Sequence, residues 1–130
     1  NRNLKSGIKK RQSFVKKVIE NLSEGSKFLI PKTIFSFENW AFWHFPIVLK
    51  NDDVNKCKNY FLKNSVDIVG YGMINCNKEK AFERFKRHNL IVAEKIYENT
   101  LFLPIHDSFG DEEAIKISKV LNSYVRDTIK

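Results

Sequence analysis

Residues 91–113 read Ile-Val-Ala-Glu-Lys-Ile-Tyr-Glu-Asn-Thr-Leu-Phe-Leu-Pro-Ile-His-Asp-Ser-Phe-Gly-Asp-Glu-Glu. The stretch opens with an amphipathic helix from Leu90, in which helical spacing sets Ala93 and Ile96 or Tyr97 to face inward. Leu101-Phe-Leu103 follows as a short apolar strand, stopped by Pro104. Ser108 with Asp111 resembles a capping box at the start of a last helix. In that helix Ala114, Ile117, Leu121, Tyr124 and Val125 share one face. A helix, a strand, a turn and a capped helix in so few residues mark a compact α and β arrangement.

Upstream, Ala41 to Leu49 is the clearest strand. Trp43, Phe45, Ile47 and Leu49 alternate to one side, and Phe42, His44, Pro46 and Val48 to the other. Pro46 lacks an N–H and belongs at an edge or a bulge. Asn51-Asp52-Asp53 reads as a cap for a helix whose buried stripe is Val54, Cys57, Phe61 and Leu62. Asn64 and Ser65 end that helix, and Val66–Val69 is a second short strand. Gly70-Tyr71-Gly72 is a sharp turn or a close approach of backbone. Phe82 and Phe85 stand in a basic surround and suggest a single helical turn or a structured loop. Residues 7–22 form a first helix with Ile8, Val15, Val18, Ile19 and Leu22 on its apolar stripe. Gly25 is suited to a left-handed stop after it, and Phe28–Phe37 reads as an extended connection.

Strands and helices interleave, yet only about three strands are present, so a small sheet with helices packed on it is the economical fold. The expected class is α+β, with a mixed or antiparallel sheet. Residues 1–37 form a basic linker helix and connection, and 38–130 a small α+β domain. With 42% apolar residues, eleven Phe and two Trp, the chain has ample material for a core. Its net charge of +8 is unevenly spread: residues 1–32 hold nine Lys/Arg against two acids. That basicity suits a nucleic-acid surface or a helix face beside an acidic partner. The second is favoured, because the segment has almost no aromatic residue for stacking on bases. Two cysteines are too few for a disulfide scaffold or a zinc site and fit a reducing, cytoplasmic setting. No apolar run approaches the ~18 residues a membrane span needs.

The residues offer little chemistry of their own. His44 lies among aromatics on a strand, where a core or edge role outweighs catalysis. His88 sits in a basic loop. His106 follows a strand end, where functional groups collect, although Asp107 beside it could simply hold the ring. There is no metal-ligand spacing, phosphate-binding loop, nucleophile elbow or paired-carboxylate signature.

Three segments resemble the smaller C-terminal domain of the DegT/StrS-type family of pyridoxal-phosphate-dependent sugar aminotransferases. Phe42-Trp-His-Phe-Pro-Ile-Val-Leu-Lys50, with the helix after it and Asn64-Ser-Val-Asp-Ile-Val69, is similar to the family's aromatic-His strand, helix and following strand. Ala93-Glu-Lys-Ile-Tyr-Glu-Asn-Thr-Leu-Phe-Leu-Pro-Ile-His106 is similar to its "Ala-Glu … Leu-Ser-Leu-Pro-Leu-His" segment. Ser108-Phe-Gly-Asp-Glu-Glu113 is similar to its closing "Leu-Ser-Asp-Glu-Glu". Residues 4–22 would then be the long helix between the family's two domains. The family's His-Tyr-Pro-like loop is replaced here by Gly70-Tyr-Gly-Met-Ile-Asn75, with Tyr71 where the loop's Tyr or His would be and the proline gone.

The resemblance implies a transaminase. A Schiff-base lysine in a large domain releases pyridoxal phosphate to a glutamate-like donor, and the pyridoxamine form aminates a keto nucleotide sugar, as in polysaccharide or antibiotic-sugar biosynthesis. It implies a homodimer, with the large catalytic domain of the same protein as the chain's main partner. That lysine and the phosphate-binding elements belong upstream of this sequence, so the chain by itself binds no cofactor and has no catalytic residue. Tyr71, His44 and His106 are its substrate-proximal candidates. The first helix and the Phe28–Phe37 connection are expected to face the large domain. The competing reading is a non-catalytic protein-interaction or regulatory module; a nucleic-acid-binding domain ranks below both.

Overall fold

The computed structural model describes residues 2–50, 54–70, 75–85 and 90–128. In chain order they form α1 (Arg2–Glu20), α2 (Glu24–Lys27), β1 (Phe45–Val48), α3 (Val54–Lys63), β2 (Val69–Gly70), α4 (Ile91–Asn99), β3 (Thr100–Leu103) and α5 (Asp111–Thr128). Short 3-10 turns cover Lys32–Phe35, Phe37–Asn39, Cys76–Lys78 and Lys80–Phe85. The expected cap at Asn51–Asp53, Tyr71 and His88 lie outside the described residues.

The sheet order is β1-β3-β2, with both pairings antiparallel. The last strand in sequence is therefore the central one, and the α+β expectation holds with the antiparallel choice. Register runs from Phe45↔Leu103 to Val48↔Thr100, and Val69 faces Phe102. Pro46 stands on the edge strand. Val48 N–H donates outward to Leu29 O at 2.8 Å, and the pleat points the nitrogen two residues back the same way, so Pro46 removes no bond from the β1–β3 ladder.

One sheet face is packed. Phe45, Ile47, Leu49, Leu101 and Leu103 are buried against Phe14, Val15, Val18 and Ile19 of α1, Phe61 of α3, and Ala114, Ile117, Leu121 and Tyr124 of α5. Full burial of each large apolar side chain contributes about 1.5–3 kcal/mol, so this one cluster dominates the fold. The apolar stripe of α1 is spent on α5. The side chain of Asn122 locks the α1 exit to α5, accepting from Ser23 N and donating to Asn21 O, each at 2.9 Å.

Several local expectations change. Gly25 takes no positive φ; it lies inside α2, which Ser23 caps by accepting from Ser26 N. A Cβ at Gly25 would already meet Val125 Cγ1 at 3.3 Å, so close packing on α5, not a left-handed stop, is what the position uses. Phe28–Phe37 is turned rather than extended, and it buries Leu29, Ile30 and Ile34. Leu62 is exposed, because Val54, Cys57 and Phe61 alone fill the face that α3 turns inward. The expected strand Val66–Val69 pairs only at Val69–Gly70, while Val66 and Ile68 are buried ahead of it. α4 has helical periodicity but buries none of its residues. Periodicity names a face; it does not supply the surface that covers it.

The end of α3 is a Schellman motif. Val66 N donates to Phe61 O at 3.0 Å and Ser65 N to Leu62 O at 2.9 Å, with Ser65 at φ 57 in the position glycine usually takes. Lys116 Nζ donates to Ser65 O at 2.8 Å, fastening this turn to α5. At the start of α5 the cap is Gly110, not Ser108: Gly110 N donates to Glu113 Oε2 at 2.8 Å. Half of a capping box is thus made, shifted by two residues from the expected one.

Candidate functional site

The alternation read from Ala41 to Leu49 breaks at Phe42, which has φ 47 although its ring is buried. A bulky residue in that region is strained by about 1–3 kcal/mol and needs support from its surroundings. Burial of the ring supplies part of it, and Arg11 Nη1, which donates to Phe42 O at 3.1 Å, supplies more. Gln12 Nε2 adds bonds to Glu38 O and Trp40 O, both at 2.9 Å. The reversal throws Trp43 out to 81% exposure, away from the buried Phe45 and Ile47 with which it was expected to pack. His44 follows it onto the outer sheet face, its ring 4.6 Å from that of Phe102 and 6.3 Å from that of Trp43.

The antiparallel register carries β3 back to this same end of the sheet, since Leu103 pairs with Phe45. His44 and His106 therefore flank the same end of the β1–β3 pair. Gly70, which precedes Tyr71, pairs with Leu101 towards the other end of β3. Two of the three candidates thus lie at one end of the sheet, and Tyr71 lies outside the described residues.

His106 and Ser108 close a self-contained turn. His106 Nδ1 lies 2.7 Å from Ser108 Oγ, Ser108 N donates to the same ring nitrogen at 3.2 Å, and the ring stands 6.0 Å from that of Phe109. Asp107 does not hold the imidazole. It turns to α1, where its Oδ1 sits 2.9 Å from Arg11 Nε, an ion-pair contact without hydrogen-bond alignment. Without a carboxylate behind the ring, nucleophile, base and orienting group are not assembled. The outer face offers an aromatic platform with one imidazole, suited to stacking and hydrogen bonding. Arg11, Gln12 and the Phe42 reversal are the positioning elements that residue types did not disclose. Their one signal was polar side chains beside the apolar stripe of the first helix.

Four groups on other parts of the fold have shifted pKa values. Tyr60 is raised by burial and by its hydrogen bond to Asp127 Oδ2 at 2.8 Å, which in turn lowers Asp127. Glu113 is lowered by the Gly110 N–H, and Lys78 is raised by its bond to Glu98. Each is explained by a structural pair. A pyridoxal phosphate site needs a lysine amine held in a pocket beside a phosphate cradle. None of the described lysines is buried, so the described residues do not fit that cofactor. They also contain no group of His, Cys, Asp and Glu able to hold a metal, and no helix long and apolar enough to cross a membrane.

Comparison with known proteins gives a consistent picture. The family model of the DegT/DnrJ/EryC1/StrS aminotransferase family matches residues 2–122. No curated protein sequence matches significantly. Among solved structures, NtdA from Bacillus subtilis with bound cofactor PMP is similar, with a TM-score of 0.75 at 21% identity over 90% of this chain. At that identity the likeness concerns the fold, and the chain spans 28% of the NtdA chain. With the family model matching nearly its whole length, the chain belongs to the DegT/DnrJ/EryC1/StrS aminotransferase family.

Proposed function

We propose that this chain is the C-terminal small domain of a pyridoxal-phosphate-dependent aminotransferase acting on a keto nucleotide sugar with a glutamate-like donor. The observation that carries this reading is the family match over residues 2–122 in a chain that covers only 28% of a cofactor-bound neighbour. In this reading the Schiff-base lysine and phosphate cradle come from a large domain of the same polypeptide, and the intact protein is a homodimer. Residues 1–37 link the two domains, and 38–130 form the small one.

When bound, the cofactor supplies the electron sink for amino transfer. This chain's own residues shape the pocket wall. His44 and Trp43 present ring edges and faces at one end of the sheet, and Tyr71 follows β2. Alone, the chain is inactive. The test is glutamate-dependent amination of a panel of keto nucleotide sugars, comparing the intact polypeptide purified from its source with this chain. Activity confined to the intact polypeptide supports the reading. An intact polypeptide that aminates none of them, or equal activity from the chain alone, overturns it.

A further inference from the structure

Sequence pattern and backbone disagree at one residue. From Ala41 to Leu49 the sequence alternates as a regular strand would, which sets Trp43 on the side of Phe45 and Ile47. Phe42 instead takes φ 47, buries its own ring and leaves Trp43 exposed. A conformation of this kind persists only where its surroundings over-determine it. The regular β1–β3 pairing begins at Phe45, so the sheet does not fix residue 42. The hold comes from one turn of α1: Arg11 Nη1 donates to Phe42 O at 3.1 Å, and Gln12 Nε2 to Glu38 O and Trp40 O, both at 2.9 Å. Arg11 is itself steadied by Asp107, whose Oδ1 sits 2.9 Å from its Nε.

We propose that Arg11 makes this segment a two-position device. With α1 seated, Phe42 is in and Trp43 is out. With the Arg11 bond released, Phe42 relaxes to an extended conformation, and strand alternation turns Trp43 inward in its place beside the Phe45 ring, now 6.3 Å from that of Phe42. Two balances keep the arrangements close in energy. Each buries one aromatic ring and exposes another, so ring burial largely cancels. The strain released at Phe42 and one hydrogen bond from a charged donor are of the same order. The inference concerns the conformation of this chain and needs neither cofactor nor substrate, so it stands or falls apart from the function proposed above. Within that function, α1 belongs to the link between domains and Trp43 to the pocket wall, and Arg11 is the positioning residue that joins them.

The test starts from Trp40→Phe, which leaves Trp43 as the only tryptophan, and reads acrylamide quenching and the emission maximum. Trp43 should be quenched as an exposed indole. Adding Arg11→Ala should lower the quenching constant about twofold and move emission to shorter wavelength, as the population shifts to the inward arrangement. Far-UV circular dichroism should stay unchanged. Arg11→Lys, which keeps a cationic donor for Phe42 O, should restore the quenching. Val54→Ala, a core change beside Gly70, should leave it where it was. A merely structural Arg11 would loosen the segment and leave quenching equal or higher. That result in a folded Arg11→Ala chain overturns the inference, and so does an equal fall in Arg11→Lys. Should Arg11→Ala not fold, Arg11→Met, which keeps an apolar stem and removes the donors, carries the same expectations.

Discussion

A Cβ placed on Gly7 would stand 2.5 Å from Asp107 Oδ2, so α1 can receive the Asp107 carboxylate in its second turn only because residue 7 has no side chain. The same carboxylate reaches Arg11 Nε at 2.9 Å, and Arg11 in turn holds the strained carbonyl of Phe42. Gly7, Asp107, Arg11 and Phe42 thus form one chain of contacts. It joins α1, the turn after β3 and the reversal that exposes Trp43 and His44.

That chain predicts a thermodynamic coupling. In a helix interior, alanine is favoured over glycine by about 1 kcal/mol. Gly7→Ala should show this gain in an Asp107→Ala background and lose it in the wild type, where the carboxylate must leave Arg11. A urea-unfolding cycle should return a coupling of about 1 kcal/mol. Equal effects in both backgrounds would show that the close approach carries no energy.

Ser65 holds the left-handed position of the α3 Schellman motif. A non-glycine residue there costs about 1–2 kcal/mol, offset in part by the extra unfolded-state freedom of glycine. Ser65→Gly should raise stability by roughly 0.5–1 kcal/mol, and Ser65→Val should lower it. The Lys116 bond to the Ser65 carbonyl survives both changes, so the midpoint of denaturation reads the backbone alone.

Acid sensitivity should trace to two carboxyls. Glu113 is held low by the Gly110 N–H, and Asp127 by the Tyr60 hydroxyl and then by Arg126. A depressed folded-state value means stability that is present above the ordinary carboxylate range, ~4, and lost as pH falls through the lower folded value. Tyr60, raised chiefly by burial, works at the other end: its contribution is present below pH ~10 and lost as pH rises through the higher folded value. Melting temperatures between about pH 6 and about pH 3 should fall less steeply in Glu113→Ala and Tyr60→Phe than in the wild type. Tyr60→Phe should also flatten the alkaline limb. Unchanged slopes would remove these groups from the account.

The basic face of α1 is partly neutralised within the chain. Arg11 pairs with Asp107, Lys16 with Glu20 and Lys17 with Asp111. Fluorescently labelled single-stranded RNA and duplex DNA should therefore show no specific binding at ~0.15 M salt. Saturable binding that weakens on Lys9→Glu/Lys10→Glu substitution would restore the nucleic-acid reading.

Much of the fold was legible because it rests on periodicity. Leu101–Leu103, the helix of Val54, Cys57 and Phe61, and the α5 face through Ala114, Ile117, Leu121 and Tyr124 follow from spacing alone. The rest depends on contacts distant in sequence. Nothing in Phe42-Trp43-His44 announces a left-handed Phe42, whose support comes from Arg11 across the fold. Leu62 and Ile96 obey helical patterns, yet no neighbour covers them. Ser108 and Gly110 each sit near the start of α5, and only the backbone path decides that Gly110 is the cap. His44 and His106 share one sheet end because β3 returns antiparallel, a pairing that segment order alone leaves open.

The central claim, that this chain is the small domain of a larger aminotransferase, is tested most directly by trapping the cofactor. The polypeptide purified from its source should be reduced with borohydride in the presence of pyridoxal phosphate, then mapped by mass spectrometry. The account predicts a polypeptide larger than the 15.3 kDa of this chain, carrying a single stoichiometric pyridoxyl-lysine outside residues 1–130. A polypeptide of 15.3 kDa, or a stoichiometric pyridoxyl group on a lysine within these residues, would contradict it.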